Sequence, residues 1–258
     1  MKMKFLMIHL LTLIFLADAS GQEFRRLENK AFRDGEKLTF DVKFGFVTAG
    51  IAVMQIPKIK RISGRNAYHV TFEVNSIPSF DWIYKVRDRY ETYLDTAGLF
   101  PWRFEQHIRE GNFSKDFSAF FDHRKNKART SKGEYDIPKY VNDIVSAFYL
   151  ARTFDFEKRK PGYRYNLQNF YNDKVYDLDV VYLGKERITV AAGTFDCIMV
   201  EPLVQEGGLF KSEGNIIIWL TDDDLRVPVK VKTKVVIGSI DAELTAYEGL
   251  AGPLKAKK

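Results

Sequence analysis

The chain has little cysteine and little histidine, and this restricts the chemistry it can carry. Cys197 is the one cysteine among 258 residues, so an internal disulfide is excluded, and we expect its thiol to be a small buried hydrophobe. Outside the amino-terminal leader described below, the histidines are His69, His107 and His123, and their spacing matches no metal motif. No G-x-S-x-G sequence is present. We therefore assign no catalytic residue, no metal site and no cofactor.

A long apolar run is found at the amino terminus. Two lysines precede residues 5–16, which are largely apolar, and small residues follow up to Gly21. This order is typical of a secretory signal peptide and is too short for a spanning helix. We expect cleavage after Ala19 or Gly21, which removes residues 1–21 and leaves no transmembrane segment. The cleavage region has no cysteine for a lipid anchor, so a periplasmic or secreted location is predicted.

The excess of positive charge is small. The formal net charge is +6, and it becomes +5 without the leader, which carries two lysines and one aspartate. The basic residues are spread through a chain of mixed sign, with no cluster interleaved with stacking aromatics, so we expect no nucleic-acid partner. An anionic membrane surface or an acidic glycan is compatible with this mild basicity. The chain also has no repeat of fixed period and no linker rich in Pro, Gly or Ser, which predicts a single domain over residues 22–250 and a flexible tail over 251–258.

Alternating apolar and polar residues predict a β-rich domain. The alternation is clear over residues 38–44 and 68–75, and similar segments recur in both halves of the chain. Pro57 should confine the second strand to an edge or an end, because proline donates no ladder hydrogen bond. The predicted fold is mainly β, of α+β type: a curved antiparallel sheet or open half-barrel of about eleven or more strands wrapped around one central helix.

The central helix is predicted over residues 136–156, between the two β-rich halves. Asn142 or Asp143 should cap its amino end, and Arg152 would complement the dipole at its carboxyl end. Apolar residues at helical spacing form a face that must be buried: Ile144, Ala147, Phe148 and Ala151. Three more apolar residues lie outside this face, namely Val145, Tyr149 and Leu150, so we expect the helix to contact the sheet on more than one side.

A charged strand in the first half is one candidate binding element. Arg87, Arg89 and Glu91 alternate on one strand face, so the two arginines could bind a carboxylate or phosphate through paired donors. The alternative is a ladder of ion pairs with neighbouring strands, for which Arg103, Glu105 and Arg109 are the candidate partners.

An aromatic cluster just before this strand is the second candidate. Phe80, Trp82 and Tyr84 crowd together in a connection that breaks the alternation of the strands. Such a cluster is either a cover packed across the sheet or an exposed apolar patch that meets a ligand or a membrane. We include these three residues among the candidate binding residues.

Several segments resemble an exported bacterial family called domain of unknown function 3108, or DUF3108. The segments that carry the resemblance are 35–45, 49–50, 86–91, 142–149 and 192–196. Together they extend over nearly the whole mature chain, from about Gly35 to Tyr247. The resemblance implies a curved antiparallel sheet, similar to the half-barrels of periplasmic lipoprotein carriers. It implies no activity and no catalytic residue.

Three functions fit these observations. The first is a non-enzymatic protein that binds a lipid, a lipoprotein or another amphipathic envelope molecule in the concave face of the sheet. The second is a glycan-active enzyme with paired carboxylates, for which Glu73, Glu91, Glu105 and Glu110 are candidates. The third is a structural module of envelope assembly. An apolar cavity would favour the first, a polar cleft with two carboxylates the second, and a fully packed interior the third.

Overall fold

Short turns join most neighbouring strands, so the chain forms an antiparallel meander. The computed structural model describes residues 23–204, 216–234 and 238–258. The predicted leader lies outside these residues. Within them the strands are β1 Lys37–Phe44, β2 Val47–Ile62, β3 Arg65–Ser76, β4 Arg87–Asp95, β5 Pro101–Glu110, β6 Phe113–Asp122, β7 Lys127–Thr130, β8 Gly133–Asp136, β9 Arg164–Tyr171, β10 Lys174–Val190, β11 Gly193–Val204, β12 Ile216–Thr221, β13 Pro228–Lys234 and β14 Ser239–Glu248. The two helices described are α1 Pro78–Asp81 and α2 Ile144–Ala151.

All fourteen strands belong to one curved sheet. Their order is β8-β7-β6-β5-β4-β3-β2-β1-β14-β13-β12-β11-β10-β9. The first and last strands, β1 and β14, pair in the middle, and β8 and β9 are the edges. The prediction of a mainly β, antiparallel, open half-barrel is therefore confirmed.

The two edges approach each other through side chains. Lys115 on β6 donates to the Tyr171 hydroxyl of β9 at 2.8 Å, and Thr130 on β7 donates to Asp173 at 2.7 Å. The ring of Phe170 on β9 lies 5.9 Å from Phe121, centroid to centroid. Curvature thus brings β9 against β6 and β7 without a backbone ladder between the two edges.

The meander gives the half-barrel two different ends. At one end, called here the hairpin end, lie the turns 45–46, 77–86, 111–112, 131–132 and 172–173. At the other, the closed end, lie the turns 63–64, 96–100, 123–126, 191–192 and 222–227. The amino-terminal segment covers the closed end, where the Leu27 amide donates to the Ala97 carbonyl at 2.8 Å.

The carboxyl-terminal tail also packs on the closed end. The Asp196 amide donates to Ala256, and the Lys258 amide donates to Thr194, both at 2.9 Å. Ala256 is buried. In the segment 251–258, predicted as a flexible tail, the last residues thus form backbone hydrogen bonds with the first residues of β11.

Helix α2 is shorter than the predicted 136–156. The chain before it is extended, because the Asn142 amide donates to Gln168 at 2.8 Å and the Phe170 amide donates back to Asn142 at 2.7 Å. Asp143 is the N-cap, as one of the two predicted alternatives.

The prediction that Pro57 confines the second strand to an edge or an end was also wrong, since β2 continues through Pro57 to Ile62. The register shift between Gln55 and Lys58 accommodates the missing backbone donor of the proline.

A buried ion pair joins three segments at the closed end. The Arg152 guanidinium, just after α2, donates to both carboxylate oxygens of Glu36 at 2.6 and 2.9 Å. It also donates to the carbonyls of Ala31 and Leu225, each at 3.1 Å. Both charged side chains have zero exposure. Burial alone would lower the pKa of Arg152, but the Glu36 carboxylate raises it, so the guanidinium stays charged.

Replacing Arg152 alone should destabilise the protein strongly. Arg152→Met leaves the Glu36 carboxylate buried without its cation, which costs about 3–5 kcal/mol in the free energy of unfolding. Adding Glu36→Leu to Arg152→Met should restore part of that loss, because both charges are then absent. Urea unfolding of the single and double variants measures these differences.

The matched control is an exposed ion pair. Arg129, which pairs with Glu134 at 3.4 Å on the surface, should be replaceable by Met with little loss of stability. If Arg152→Met and Arg129→Met lowered the urea midpoint equally, the buried pair would not have the structural role described here.

Candidate functional site

An apolar cavity of about 320 Å³ lies between α2 and the sheet. Its lining comes from the helix and from the inward faces of ten strands, so it occupies the concavity of the half-barrel. The lining residues are Phe40, Ala52, Met54, Phe72, Tyr90, Ile144, Val145, Ala147, Phe148, Ala151, Asn169, Leu178, Val180, Val200, Pro202, Ile216, Ile218, Leu220, Pro228, Val231, Thr233 and Ala242. The concavity is therefore not fully packed, and an apolar cavity is the feature that favours the lipid-binding hypothesis over the structural module.

The two faces of α2 explain why the cavity exists. Tyr149 and Leu150 pack into a cluster of bulky residues from β2 to β6 and β9, called here the aromatic half, which includes Phe104 and Phe170. Val145 belongs to this cluster and also lines the cavity. The opposite face carries the four residues predicted to be buried, and all four line the cavity: Ile144, Ala147, Phe148 and Ala151.

Across the cavity, about half of the lining side chains from the strands are short. Val180, Val200 and Val231 are aliphatic, and Ala52 and Ala242 end at Cβ. Val180 and Val200 pack with Ala151 at the carboxyl end of the helix, and the short side chains of Ala52 and Ala242 leave open space beside the rest of it. The helix meets the sheet on more than one side, as predicted: Tyr149 packs on the aromatic half, and Ala151 packs in a second cluster with Val180 and Val200 of β10 and β11.

Few polar groups reach this apolar space. The Asn169 Oδ1 atom is buried and accepts no hydrogen bond from the described residues. Tyr90 also lines the cavity, and burial raises the pKa of its hydroxyl to about 12, so it stays protonated at neutral pH. A cavity that is apolar with one or two polar groups fits a ligand with a long apolar part and a small polar part.

Asp143 fixes the amino end of the helix beside the cavity. Its Oδ1 accepts the amides of Val145 and Ser146 at 2.8 and 2.9 Å, and the Ser146 hydroxyl accepts the Asp143 amide, which completes a capping box. Its Oδ2 accepts the Thr92 hydroxyl of β4 at 2.6 Å. The carboxyl is wholly buried, and burial raises its pKa to about 6.

The charged strand residues form ion pairs with one another. Arg87 donates to both carboxylate oxygens of Asp81, at 2.6 and 3.1 Å. Arg89 pairs with Glu91 at 2.8 Å and with Glu73 at 3.1 Å. Glu91 lies 2.5 Å from His69; burial alone would raise the pKa of Glu91, but the bonds from His69 and Arg89 lower it. Arg87, Arg89 and Glu91 do not line the cavity. They form ion pairs, as in the ladder alternative, but with Asp81, Glu73 and His69 instead of the candidate partners Arg103, Glu105 and Arg109.

The aromatic cluster stands out from the hairpin end. Trp82 is 81% exposed and Tyr84 is 48% exposed, while Phe80 is half-buried in the short helix α1. None of the three lines the cavity. Of the two interpretations given to this cluster, the structure places Trp82 and Tyr84 in solvent and not across the sheet.

A second, polar cleft of about 530 Å³ lies beside β9 and β10. Its lining residues are Arg25, Lys139, Tyr140, Val141, Asn142, Asn166, Leu167, Gln168, Asp177 and Asp179. Asp179 accepts from Arg164 at 3.0 Å and from Asn166 at 2.6 Å, and Asp177 accepts from Gln168 at 3.2 Å. Both carboxylates are thus engaged by donors of the neighbouring strand.

The carboxylates suggested for glycan chemistry lie elsewhere. Glu73, Glu91 and Glu105 lie on the outer face of β3, β4 and β5, where Glu91 and Glu105 are register neighbours. Glu110 is the last residue of β5, and burial together with the Asp88 carboxylate raises its pKa. None of the four lines either cavity described above.

Comparison with known families identifies the chain. A family described as protein of unknown function, DUF3108, matches residues 39–245. This chain belongs to the DUF3108 family. The resemblance seen in the sequence is confirmed, and the family description brings no activity with it. No curated protein matches the chain at a significant level.

Solved structures support the fold of this DUF3108 protein. A β-barrel-like protein of domain of unknown function DUF1849 from Brucella abortus is similar with a TM-score of 0.53 at 11% identity, covering 83% of this chain and 96% of its own. A candidate exported protein with a YmcC-like fold from Bacteroides fragilis matches at 10% identity, covering 88% of this chain and 100% of its own. Its TM-score of 0.36 is too low to carry an argument. Among the described residues, no helix has the length and hydropathy needed to cross a bilayer.

Sequence reasoning found the helix face of the cavity but not its sheet face. Phe40 and Phe72 belong to alternating strands, so their inward direction was predictable. That they face open space and not a packed core depends on the size of side chains in strands far away in sequence, such as Ala242 and Val200.

Ionisation of Asp143 should make stability fall as pH rises. The folded pKa of about 6 lies above the unfolded value of about 3.9, so the folded protein binds the extra proton between these pH values. Stability from this group is present at low pH and lost as pH rises through 6. Relative to Asp143→Asn, which keeps the cap, wild type should lose about 2–3 kcal/mol between pH 4 and pH 7.

Chemical unfolding at several pH values measures this difference. Asp196→Asn is a control of opposite sign, because bonds from Arg187 and Lys258 lower the pKa of Asp196 to about 2. Its stabilising contribution is present above the unfolded pKa and lost as pH falls. Parallel stability curves for wild type and Asp143→Asn would contradict the raised pKa of Asp143.

Proposed function

We propose that this protein binds a lipid or another amphipathic envelope molecule in the cavity between α2 and the sheet, and that it does so without catalysis. The observation that carries the proposal is the apolar lining of that cavity, with Asn169 and Tyr90 among its few polar groups. Apolar surface of this kind gains free energy when it covers an acyl chain, at about 0.8 kcal/mol for each methylene removed from water.

The size of the cavity restricts the range of ligands that it can hold. A volume of about 320 Å³ is at the lower end of the range for ligand pockets, roughly 300–1,000 Å³. A single acyl chain or a similarly slender apolar group fits this space better than a lipid with several chains. The buried Asn169 Oδ1 offers an acceptor for a hydroxyl or an amide at the polar end of such a ligand.

The expected cellular location agrees with this ligand class. The leader at residues 1–21 predicts export to the periplasm or beyond, where acyl chains of lipids and lipoproteins are abundant. A protein that holds such a chain away from water would shield it between membranes or during assembly.

The polar cleft supports a second candidate, recognition of an envelope glycan. Its lining brings Asp177 and Asp179 close to Arg25 and Tyr140, a mixture that could hydrogen-bond sugar hydroxyls. However, strand β9 already donates to both carboxylates, which leaves fewer free acceptors. If the cleft recognises a glycan, Asp177→Asn should weaken glycan binding, whereas it should leave lipid binding in the cavity unchanged.

Filling the cavity should block the ligand. Ala147→Phe adds a ring from the helix side and Ala242→Phe adds one from the sheet side, and both side chains point into the open space. We expect each variant to bind cis-parinaric acid, a fluorescent fatty acid, at least about tenfold more weakly than wild type, a loss of about 1.4 kcal/mol. Fluorescence titration measures the affinity.

Ala246→Phe is the matched control. Ala246 lies on β14 with Ala242 but is exposed, so the same ring there should leave binding unchanged. Thermal unfolding confirms that all three variants are folded. If wild type did not bind the fatty acid, or if Ala147→Phe and Ala242→Phe bound it as well as Ala246→Phe does, the cavity would not be the lipid site.

A further inference from the structure

We infer that the hairpin end docks on a lipid bilayer with anionic headgroups, so that the cavity receives its ligand from that bilayer. This inference deepens the proposed function and rests on it for the identity of the ligand. The surface concerned, called here the rim, consists of Phe46, Val47, Trp82, Ile83, Tyr84 and Phe113.

The rim is unusually apolar for a surface in solvent. Phe46 is fully exposed at 104%, Trp82 is 81% exposed, and Val47, Ile83 and Phe113 are each more than half exposed. They lie in three neighbouring turns at the same end of the sheet, between β1 and β2, β3 and β4, and β5 and β6. Most large apolar side chains that are exposed in the described residues lie at this end. Such a concentration marks an interaction surface.

The rim is braced against the barrel. Arg87 donates to Asp81 and to the Ser76 hydroxyl, at 2.6 and 2.9 Å, and so ties the end of α1 to β3. Val86 forms a β-bridge with Glu110, next to the turn at Gly111. The aromatic side chains therefore stand on a fixed support, and their exposure is not that of a loose loop. Through its bonds to Asp81 and Ser76, Arg87 positions the turn that carries Trp82.

The shape of the rim favours a bilayer over a protein groove. Its side chains protrude from the tips of separate turns instead of forming one flat face, so they can enter an interface one by one. Trp82 and Tyr84 are amphipathic aromatics, which prefer the headgroup region of a membrane. Phe46 and Ile83 are purely apolar and suit the adjacent acyl region.

Basic residues outnumber acidic ones in the segments at the tips of the rim. Five segments at the described tips together contain eight Lys or Arg and four Asp or Glu. The segments are 43–48, 81–89, 109–115, 130–133 and 172–174. Five of the eight basic side chains form ion pairs with carboxylates of the protein. The attraction to anionic lipids therefore comes mainly from the other three, Lys85, Lys115 and Lys174, and salt weakens it.

The cavity and the rim are carried by the same strands. Met54 and Phe72 line the cavity from β2 and β3, and the turns that carry Phe46 and Trp82 join the hairpin-end termini of these strands. Thr233 and Ile216 extend the lining toward the hairpin end of β13 and β12. A bilayer at the rim would therefore lie at the end toward which the cavity extends.

Trp82 provides a direct test with the purified protein. The other two tryptophans, Trp102 and Trp219, are only 4% and 7% exposed, so a change in emission on docking reports Trp82. With vesicles of phosphatidylethanolamine and phosphatidylglycerol, we expect a blue shift and quenching by lipids brominated on the acyl chain. Trp82→Phe should abolish the blue shift.

Binding itself is measured by vesicle sedimentation. The double variant Phe46→Ser, Trp82→Ser should lower vesicle affinity at least about tenfold, and added salt should weaken wild-type binding. The matched control is Leu27→Ser, Ile59→Ser, which removes two side chains exposed to 39% and 42% away from the hairpin end. The control should sediment with vesicles as wild type does.

Two results would overturn the inference. One is sedimentation of the rim variant equal to that of the control; the other is wild-type binding to pure phosphatidylcholine vesicles as strong as to anionic ones. Binding of cis-parinaric acid is measured on the same samples, so that failure of the docking inference can be distinguished from failure of the proposed function. If the wild-type protein bound the fatty acid but not the vesicles, the docking inference would be wrong and the proposed lipid site in the cavity would stand.

Discussion

The ion pair between Arg152 and Glu36 is the contact on which the arrangement of the barrel depends. Two charges with zero exposure are stable in the interior only if each keeps its partner, since their desolvation is costly. Arg152 also holds the carbonyls of Ala31 and Leu225, so one side chain joins the amino-terminal segment, the helix and the turn between β12 and β13. The carboxyl end of α2 is thereby fixed at the closed end.

The opposite end of the helix is fixed by a different interaction. Asp143 bonds both to the first turn of α2 and to Thr92 on β4. A helix that is held at both termini cannot shift across the barrel to fill the space beside it. The cavity persists because Tyr149 packs on the aromatic half, whereas short residues such as Ala52 and Ala242 face the other side. An apolar ligand that enters such a space adds van der Waals contacts that its lining otherwise lacks.

Local patterns predicted the fold well, and long-range partners set its departures. Alternation located β1 and β3, and helical spacing identified Ile144 and Ala147 as a buried face. The same spacing could not separate a helix that plugs a core from one that walls a cavity, since both need an apolar face. Helix length was overestimated because Asn142 pairs with β9, a contact that no local pattern contains. Arg152 was assigned to the helix dipole for the same reason: its partner Glu36 is 116 residues away.

The difference between the two ends determines how a ligand could reach the cavity. Entry through the closed end would separate Arg152 from Glu36 and expose a buried charge, at a cost of about 3–5 kcal/mol. Entry between β8 and β9 would break the contacts of Lys115 and Thr130 with the β9 hairpin. The hairpin end requires neither, and there the apolar side chains already stand in solvent. The two ends of the half-barrel therefore differ: the closed end is held by buried polar contacts, and the hairpin end exposes apolar side chains. Entry of a ligand at the hairpin end, beside the aromatic turns, would break the fewest of these contacts.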